Sequence, residues 1–309
     1  MKFSILINNY NYGAYVCETV NSALAQTSPP HEIIVVDDGS TDDSLALLRE
    51  CYADNQLVKI IAQKNTGQFA AIAAGIDAAT GDIACLLDAD DRYRPDYLAS
   101  LLMLYREKPW IDLVFCRFTA VGGEMKNPVW LSPPGDYDYG RTALLAYFHS
   151  HAYSHCWIGN VTSCLSLTLT LARKLELRAL GEGGGARVHA DYALLLGASL
   201  LGARKYHLSR ELVEYRLHGG NRWASQGGVT NEERLVHCLT LNYHARHLGA
   251  RLLDLLPEEL ATVPTPLAAH RACYRKLCRR FRCKNGALVE NRLRRWRHGI
   301  MEWLGLRRR

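Results

Sequence analysis

Three aspartates stand together directly after an apolar segment in the first third of the chain. Asp88, Asp90 and Asp91 follow the run Ile83 to Leu87 within four positions. Carboxylates this close repel one another unless a cation is present, and alternate residues of an extended chain can face the same ion. Carboxylate oxygens in a half-open site suit Mg²⁺ or Mn²⁺ bound with a diphosphate. The segment therefore predicts a divalent-cation site, with strand termination and helix capping as the alternative interpretation.

Polar residues follow the first three apolar segments as well. In an open α/β sheet, ligands bind outside the carboxyl ends of the strands, because loops and helix N-termini converge there. The polar groups at these positions therefore predict the walls of a binding site. They are residues 8–11 after the first segment, 37–40 after the second and 64–67 after the third.

The apolar segments alternate with helical stretches through the first 120 residues. The segments are short, rich in Ile, Leu and Val, and lack a period-two polarity, which is typical of buried parallel strands. The alternation indicates βαβ units and an α/β fold with a doubly wound, mostly parallel sheet. Strands are predicted at 3–7, 33–36, 58–62, 83–87 and 113–118, and helices at 14–26, 42–51, 68–79 and 95–108.

The remainder of the chain is less regular and ends in a basic segment. Residues 122–156 contain Gly and Pro clusters, which predicts a loop-rich insertion, and a helix is predicted over 189–201. A helical, basic C-terminal extension begins near residue 230. Residues 268–309 carry 14 Lys or Arg and two Glu, a net charge of +12, so the rest of this +6 chain sums to −6.

The basic segment interleaves arginine with aromatic and aliphatic residues, which favours docking on an anionic membrane surface. A solvated surface is the alternative, and nucleic acid is not predicted as a partner. Ten scattered cysteines without a C-x-x-C pair indicate a reducing compartment. Neither a signal-peptide core nor a spanning segment is present, so we expect a cytoplasmic protein, peripheral on the inner face of the membrane.

Several segments together resemble the family 2 glycosyltransferases, which have the glycosyltransferase A fold. The resemblance covers about 220 residues in the family's order. It implies that residues 1–121 form a nucleotide-sugar-binding half, that 122–228 form the acceptor-binding and catalytic half of the same domain, and that 229–309 form the extension. The segments are SILINNYNYGAYVCETVNSALAQT, EIIVVDDGSTDDS, NTGQFAAIAAGIDAATGDIACLLDADDRYRPDYL, HADYALLLGASLLGARKY and LVEYRLHGGN.

The resemblance also implies roles for residues near the nucleotide. Asn9, Tyr10 and Asn11 match positions that contact the base and ribose, and Asp38 matches a uracil or ribose contact that Asp37 supports. The helix after the third strand has Ile-Ala where the family often has Arg-Asn. Lys64 and Gln68 are the nearby polar substitutes for the contact expected there.

Catalytic and metal roles follow from the same resemblance. Asp88 and Asp90 match the metal motif, with Asp88 also oriented to the ribose. Asp191 matches the catalytic base, although Ala190 replaces the glutamate that often precedes it. Of the residues near 216, His218 matches a metal or phosphate ligand, and Arg216 would balance the charge of the leaving diphosphate.

Together these residues predict an inverting, metal-dependent glycosyltransferase. It would move a sugar, most simply from a UDP-sugar, to a hydroxyl of a glycan or lipid-linked acceptor, as in cell-surface polysaccharide synthesis. The alternatives are a nucleotidyltransferase of similar fold and a non-catalytic scaffold that binds nucleotide sugars. The sequence leaves the sugar, the acceptor and the oligomeric state open, a homodimer included.

Overall fold

The computed structural model describes residues 1–123, 135–140, 161–175 and 203–219, together with positions 177, 190, 191, 194, 195, 198, 201 and 221. The predicted extension at 229–309 and its membrane-docking segment lie outside the described residues. The described positions of the predicted helix at 189–201 are helical at 190, 191, 194, 195 and 198. Every helix within the described ranges is too short or too polar to span a lipid bilayer.

Four parallel strands and four helices build the first half of the molecule, as the alternating pattern predicts. The strands are β1 (Phe3–Asn9), β2 (Glu32–Asp37), β3 (Val58–Ala62) and β4 (Ile83–Asp88), and the helices are α1 (Gly13–Leu24), α2 (Ser44–Tyr52), α3 (Gln68–Ala78) and α4 (Tyr97–Glu107). The strands lie in the order β3-β2-β1-β4. Each strand and helix predicted for this half is present, with ends shifted by a few residues.

The sheet continues past β4 with strands of mixed direction. The further elements are β5 (Arg92–Tyr93), β6 (Leu113–Val121), β7 (Tyr137–Gly140), β8 (Leu165–Thr168), α5 (Leu169–Lys174) and β9 (Lys205–Arg216). The strand order is β4-β8-β6-β9-β5, with β7 paired to β9. Strand β8 runs antiparallel to both β4 and β6, whereas β6 and β9 are parallel. Strand β7 lies inside the segment predicted as irregular.

Apolar residues cover both faces of the sheet, so helices pack on both sides. Along β1, Ile5 and Ile7 join the core beneath α1, α2 and α4, while Leu6 joins the core beneath α3 and α5. Alternate strand residues point to opposite faces, and each face here is buried. This arrangement confirms the doubly wound interpretation and brings the carboxyl ends of β1, β2 and β4 to one edge.

Lys205, the first residue of β9, has a side chain with no solvent exposure (0%). Its Nζ donates to the Ala203 carbonyl at 2.9 Å. Burial lowers the pKa of this amine to about 8, and the charge of Asp112 opposes the shift. The unfolded chain therefore binds more protons than the folded chain between about pH 8 and 10, and stability contributed by this group rises across that range.

We expect Lys205→Met to raise the free energy of unfolding at pH 7 by roughly 1–3 kcal/mol, because it removes a buried charge. Urea unfolding at pH 7 and pH 10 tests this, and the gain should shrink at the higher pH. The exposed Lys59 on β3 supplies the control variant Lys59→Met. An equal gain at both pH values would contradict the assignment.

Candidate active site

A cavity of about 330 Å³ opens at the carboxyl ends of the parallel strands. It brings together seven of the predicted site residues, from five separate parts of the chain: Asn9, Tyr10, Asp38, Gln68, Asp88, Asp90 and Asp191. The other residues on its wall are Asn8, Tyr12, Asn65, Gly67, Ala71, Ala89, Val161, Thr162, Ala190, Tyr215 and Asn221.

Two amides hold the carboxylate of Asp88 at the end of β4. Asn8 Nδ2 donates to Asp88 Oδ1 at 3.0 Å, and Gln68 Nε2 donates to the same oxygen at 3.1 Å. Asn8 comes from β1 and Gln68 is the first residue of α3, so two neighbouring elements orient this side chain. Burial and, secondarily, the charge of Asp90 raise the pKa of Asp88 to about 7. A cation beside this carboxylate would favour its charged form.

Asp90 is nearly buried, with 7% of its surface exposed, and it contacts the segment that follows β9. His218 Nε2 lies 3.0 Å from Asp90 Oδ2, and Asn221 Nδ2 lies 3.5 Å from the same oxygen. Arg216 Nε donates to the Asp90 backbone carbonyl at 2.9 Å. These contacts therefore connect the residues that follow β4 to Arg216, His218 and Asn221.

Asp91 is fully buried and does not line the cavity. Its carboxylate accepts hydrogen bonds from the Ser163 hydroxyl at 2.6 Å and from the Arg216 backbone N–H at 3.0 Å. Burial raises its pKa well above the ordinary value, and the charges of Asp90 and Asp88 add to the effect. Asp91 thus joins β4, the turn before β8 and the end of β9, and it holds Asp90 in place.

Asp191 lies on the same cavity wall as the two metal-motif carboxylates, although it is about 100 residues away in the sequence. It is in a helical part of the chain, and only 6% of its surface is exposed. Ala190 is also on the wall, at the position where the related pattern often has glutamate. The cavity therefore combines a separate carboxylate with the Asp88 and Asp90 cluster.

Two aspartates with different surroundings, Asp37 and Asp38, lie at the end of β2 on one side of the cavity. Asp38 lines the cavity and accepts the backbone N–H groups of Thr66 and Gly67, at 3.0 and 2.7 Å. Asp37 lies behind the wall, where its carboxylate accepts Asn9 Nδ2 at 2.7 Å. Asp38 thus anchors the loop before α3, and Asp37 orients Asn9. Asp37 was predicted to support Asp38, whereas its hydrogen-bond partners in the structure are Asn9 and Ser40.

Asn11 and Lys64 do not reach the cavity wall. Asn11 has a positive φ of 60°, and its Oδ1 accepts the Thr41 backbone N–H at 2.7 Å. It joins the loop after β1 to the loop after β2. Lys64 is exposed beside Asn65, and Asn65 lines the cavity. Ile72, at the position that often carries arginine, is buried in the core of α3, so no nucleotide contact comes from it.

Arg216 is held by neighbours outside the cavity wall. Its guanidinium pairs with Glu18 on α1 at 2.5 Å and lies over the ring of Tyr15, 4.9 Å from its centroid. The ring of Tyr15 is also 4.9 Å from that of His218. These contacts place Arg216 and His218 behind the cavity wall, with His218 reaching Asp90 and Arg216 reaching α1.

Several wall residues carry no charge, and for most of them the sequence predicts no individual role. Asn8 belongs to the polar group 8–11, which predicts a place on the wall but not the hydrogen bond to Asp88. Asn221 ends the GGN sequence of a resembling segment, yet it was not selected as a site residue. Tyr12 and Thr162 had no distinguishing pattern. Residues of this kind are recognised only when the fold brings them beside the carboxylates.

The side chains at the cavity can supply only part of the coordination shell of a divalent cation, and a bound ligand and waters would supply the rest. Asp88 and Asp90 are hard oxygen donors that reach one cavity, and Asp91 is turned away from it. Within the described ranges, no three His, Cys, Asp or Glu side chains form a group able to hold a metal ion. Mg²⁺ usually binds through one or two carboxylates plus waters and substrate phosphates. The donor set agrees with that mode.

Comparisons with known proteins agree with this architecture. The family model "Glycosyl transferase family 2" matches residues 4–166. An uncharacterised glycosyltransferase of Nostoc sp. is 32% identical over 236 residues, which cover 75% of this chain and 70% of that protein. Chondroitin synthase of Escherichia coli is 39% identical over 104 residues, covering 34% of this chain and 15% of that protein.

A solved structure shows the same fold at low sequence identity. The crystal structure of S. aureus TarS residues 1–349 in complex with UDP-GlcNAc has a TM-score of 0.56 and 18% identity, covering 82% of this chain and 72% of that one. This likeness confirms the open α/β sheet of the glycosyltransferase A type. With the family match over more than half of its length, the chain belongs to glycosyl transferase family 2.

Proposed function

We propose that this glycosyltransferase is an inverting enzyme that moves a sugar from a UDP-sugar to a hydroxyl of a glycan or lipid-linked acceptor. The single observation that carries the proposal is the meeting of Asp191 with Asp88 and Asp90 around one cavity. Asp191 is separate from the pair Asp88 and Asp90. This is expected if Asp191 acts on the acceptor while the pair acts on the donor.

The donor class is supported by the cavity and by a structural neighbour. TarS was solved with UDP-GlcNAc, and Asp38, Asn9 and Tyr10 line the same cavity as Asp88 and Asp90. Chondroitin synthase, as a relative, supports a glycan acceptor and a role in polysaccharide synthesis.

In this mechanism Asp191 accepts the proton of the acceptor hydroxyl as its oxygen attacks the anomeric carbon. Attack from the face opposite the diphosphate inverts that carbon, and no covalent intermediate with the protein forms. A cation held by Asp88 and Asp90, with His218 as the further predicted ligand, would neutralise the charge on the leaving diphosphate. Asn8 and Gln68 orient Asp88.

Arg216 acts as a positioning residue in this proposal. Its contacts with Glu18 and the Asp90 carbonyl leave it outside the cavity wall. We therefore assign it to holding the Asp90 segment, and not to direct contact with the diphosphate. His218 also lies behind the wall, so we propose that it acts at the cation site through Asp90, whose Oδ2 is 3.0 Å from its Nε2.

The family and the site favour this function over the two alternatives. Membership of glycosyl transferase family 2 favours sugar transfer over nucleotidyl transfer. A scaffold that only bound nucleotide sugars would have no use for the nearly buried Asp191 beside the donor carboxylates. Hydrolysis or transfer of a UDP-sugar in the presence of Mn²⁺ would separate an enzyme from a scaffold.

A thermal-shift screen of nucleotide sugars tests the donor assignment. We expect one UDP-sugar with Mn²⁺, at 100 times its Kd, to stabilise the chain by about 2.7 kcal/mol, and GDP- and ADP-sugars to stabilise it much less. In the Asp38→Asn variant, the difference between the stabilisation by the UDP-sugar and that by GDP- and ADP-sugars should become much smaller. Equal stabilisation by all three nucleotides would contradict the UDP assignment, and no stabilisation by any would contradict the donor site.

The basic segment at 268–309 is proposed to dock on anionic membrane. We expect the full chain to sediment with vesicles that contain phosphatidylserine, and truncation after residue 267 to abolish this. Added salt should release the chain, because the attraction is electrostatic. Equal binding to neutral vesicles, or unchanged binding after truncation, would contradict the proposal.

A further inference from the structure

Two cysteines on neighbouring helices of one face of the sheet lie in contact. Cys17 is on α1 and Cys51 is near the end of α2, and their sulfur atoms are 4.0 Å apart. Cys51 is exposed and Cys17 is half-buried, whereas the three other cysteines of the described ranges, Cys85, Cys116 and Cys164, are buried. The contact therefore joins an accessible thiol to a shielded one.

Hydrogen bonds hold α1 and α2 so that this contact is maintained. At one end, the Gly13 backbone N–H donates to Asp42 Oδ2 at 2.9 Å. At the other, the Tyr52 hydroxyl lies 2.8 Å from the Cys17 carbonyl and 2.9 Å from Asn21 Oδ1. Both helices are thus tied before and after the thiols. Only about 2 Å separates the observed sulfur distance from that of a disulfide.

We propose that Cys17 and Cys51 form a modification site at which a hydroperoxide produces a reversible disulfide between α1 and α2. The inference is independent of the sugar-transfer chemistry. Scattered cysteines remain reduced in a reducing compartment, and disulfides of such proteins are usually transient and redox-sensing. The pair would then be closed only under oxidising conditions.

The reaction begins at the exposed thiol. The Cys51 thiolate attacks one oxygen of hydrogen peroxide, the O–O bond breaks, and hydroxide leaves, which produces a sulfenic acid. The Cys17 sulfur then attacks the Cys51 sulfur, the S–O bond breaks, and water leaves with the Cys17 proton. The two thiols lose two electrons and the peroxide gains them. A small dithiol reverses the change by thiol–disulfide exchange.

The order of the two steps follows from the surroundings of each thiol. Burial raises the pKa of Cys17 to about 11, and the adjacent Cys51 contributes to the shift. Because the thiolate is the nucleophile, the half-buried Cys17 is a poor first reactant. It is, however, placed to resolve a sulfenic acid 4.0 Å away.

Peptide mapping under non-reducing conditions tests the proposal on the full chain. Trypsin cuts after Lys2, Arg49 and Lys59, so Cys17 and Cys51 fall in separate peptides, 3–49 and 50–59. After treatment with hydrogen peroxide, we expect these peptides to be linked and to separate again with dithiothreitol. Linkage of Cys51 to any of the five cysteines outside the described residues, or to a second chain, would overturn the proposal.

Single variants test the order of reaction and the structural effect. Cys17→Ser should accumulate a sulfenic acid at residue 51 that dimedone traps, whereas Cys51→Ser should give no trapped adduct at residue 17. The disulfide closes a loop of 35 residues, so oxidation should raise the Tm by roughly 3–8 °C. The double variant should show no such rise. Dimedone adduct at Cys17 in Cys51→Ser, or an unchanged Tm in the linked protein, would contradict the assignment.

Discussion

Replacing Asp191 with asparagine should lower the rate of sugar transfer by about 10²- to 10⁴-fold while the affinity for the donor stays nearly unchanged. Asparagine has almost the same shape but cannot accept the proton of the acceptor hydroxyl, and a positioned general base contributes a factor of this size. Asp191 lies on the cavity wall with 6% of its surface exposed, so the change leaves packing almost intact. Transfer kinetics and donor titration calorimetry measure the two quantities.

The exposed Asp54 supplies the matched control for this experiment. Asp54→Asn makes the same chemical change away from the cavity, and it should leave both transfer and donor binding unchanged. Loss of donor affinity in Asp191→Asn would show that this carboxylate belongs to the donor side of the site. Full activity in the variant would show that another group takes the proton.

Replacing Asp90 with alanine should remove most of the Mn²⁺-dependent part of donor binding, by about 100-fold or more in affinity. The variant deletes one of the two cavity carboxylates that would hold the cation, and metal–oxyanion contacts are worth several kcal/mol. It also removes the contact with His218 at 3.0 Å. Titration of UDP with and without Mn²⁺ measures the metal-dependent part directly.

A chelator distinguishes a metal effect from a disturbance of the fold. In EDTA, the wild type and Asp90→Ala should bind UDP equally weakly, because the missing interaction requires the cation. Asp54→Ala should behave as the wild type in both conditions. Full transfer activity of Asp90→Ala in EDTA would contradict the metal assignment, and so would a wild type whose donor affinity does not respond to Mn²⁺.

The first half of the fold could be predicted because three of its four strands, β1, β2 and β4, are buried on both faces, while the edge strand β3 is partly exposed. Runs such as Ile83 to Leu87 have no other stable environment, and each is followed by a helix with its own boundary signals. Strand β8 is only four residues long, LSLT, and β9 contains charged residues between its apolar ones. Neither pattern is distinct until neighbouring strands provide the hydrogen bonds.

The site residues that lie at the ends of apolar strands could be predicted from the sequence. Asp38, Asp88 and Asp90 follow apolar strands, and that position alone brings them to the cavity. The direction of a side chain depends on its partners in space, which the sequence does not reveal. Arg216 pairs with Glu18 from α1, and Asp91 with Ser163 from the turn before β8. Both were near the site in the sequence, yet both face away from the cavity.

The reversed strand β8 also affects how the chain folds during synthesis. It lies between β4 and β6 but is made more than 40 residues after β6 ends. Once residues 1–121 have left the ribosome, β4 therefore has an open hydrogen-bonding edge, and β6 lacks both of its sheet neighbours. Such edges invite pairing with other chains. We expect ribosome-bound chains at this stage to bind chaperones. We also expect the chaperones to dissociate after residues 165–216 have emerged from the exit tunnel.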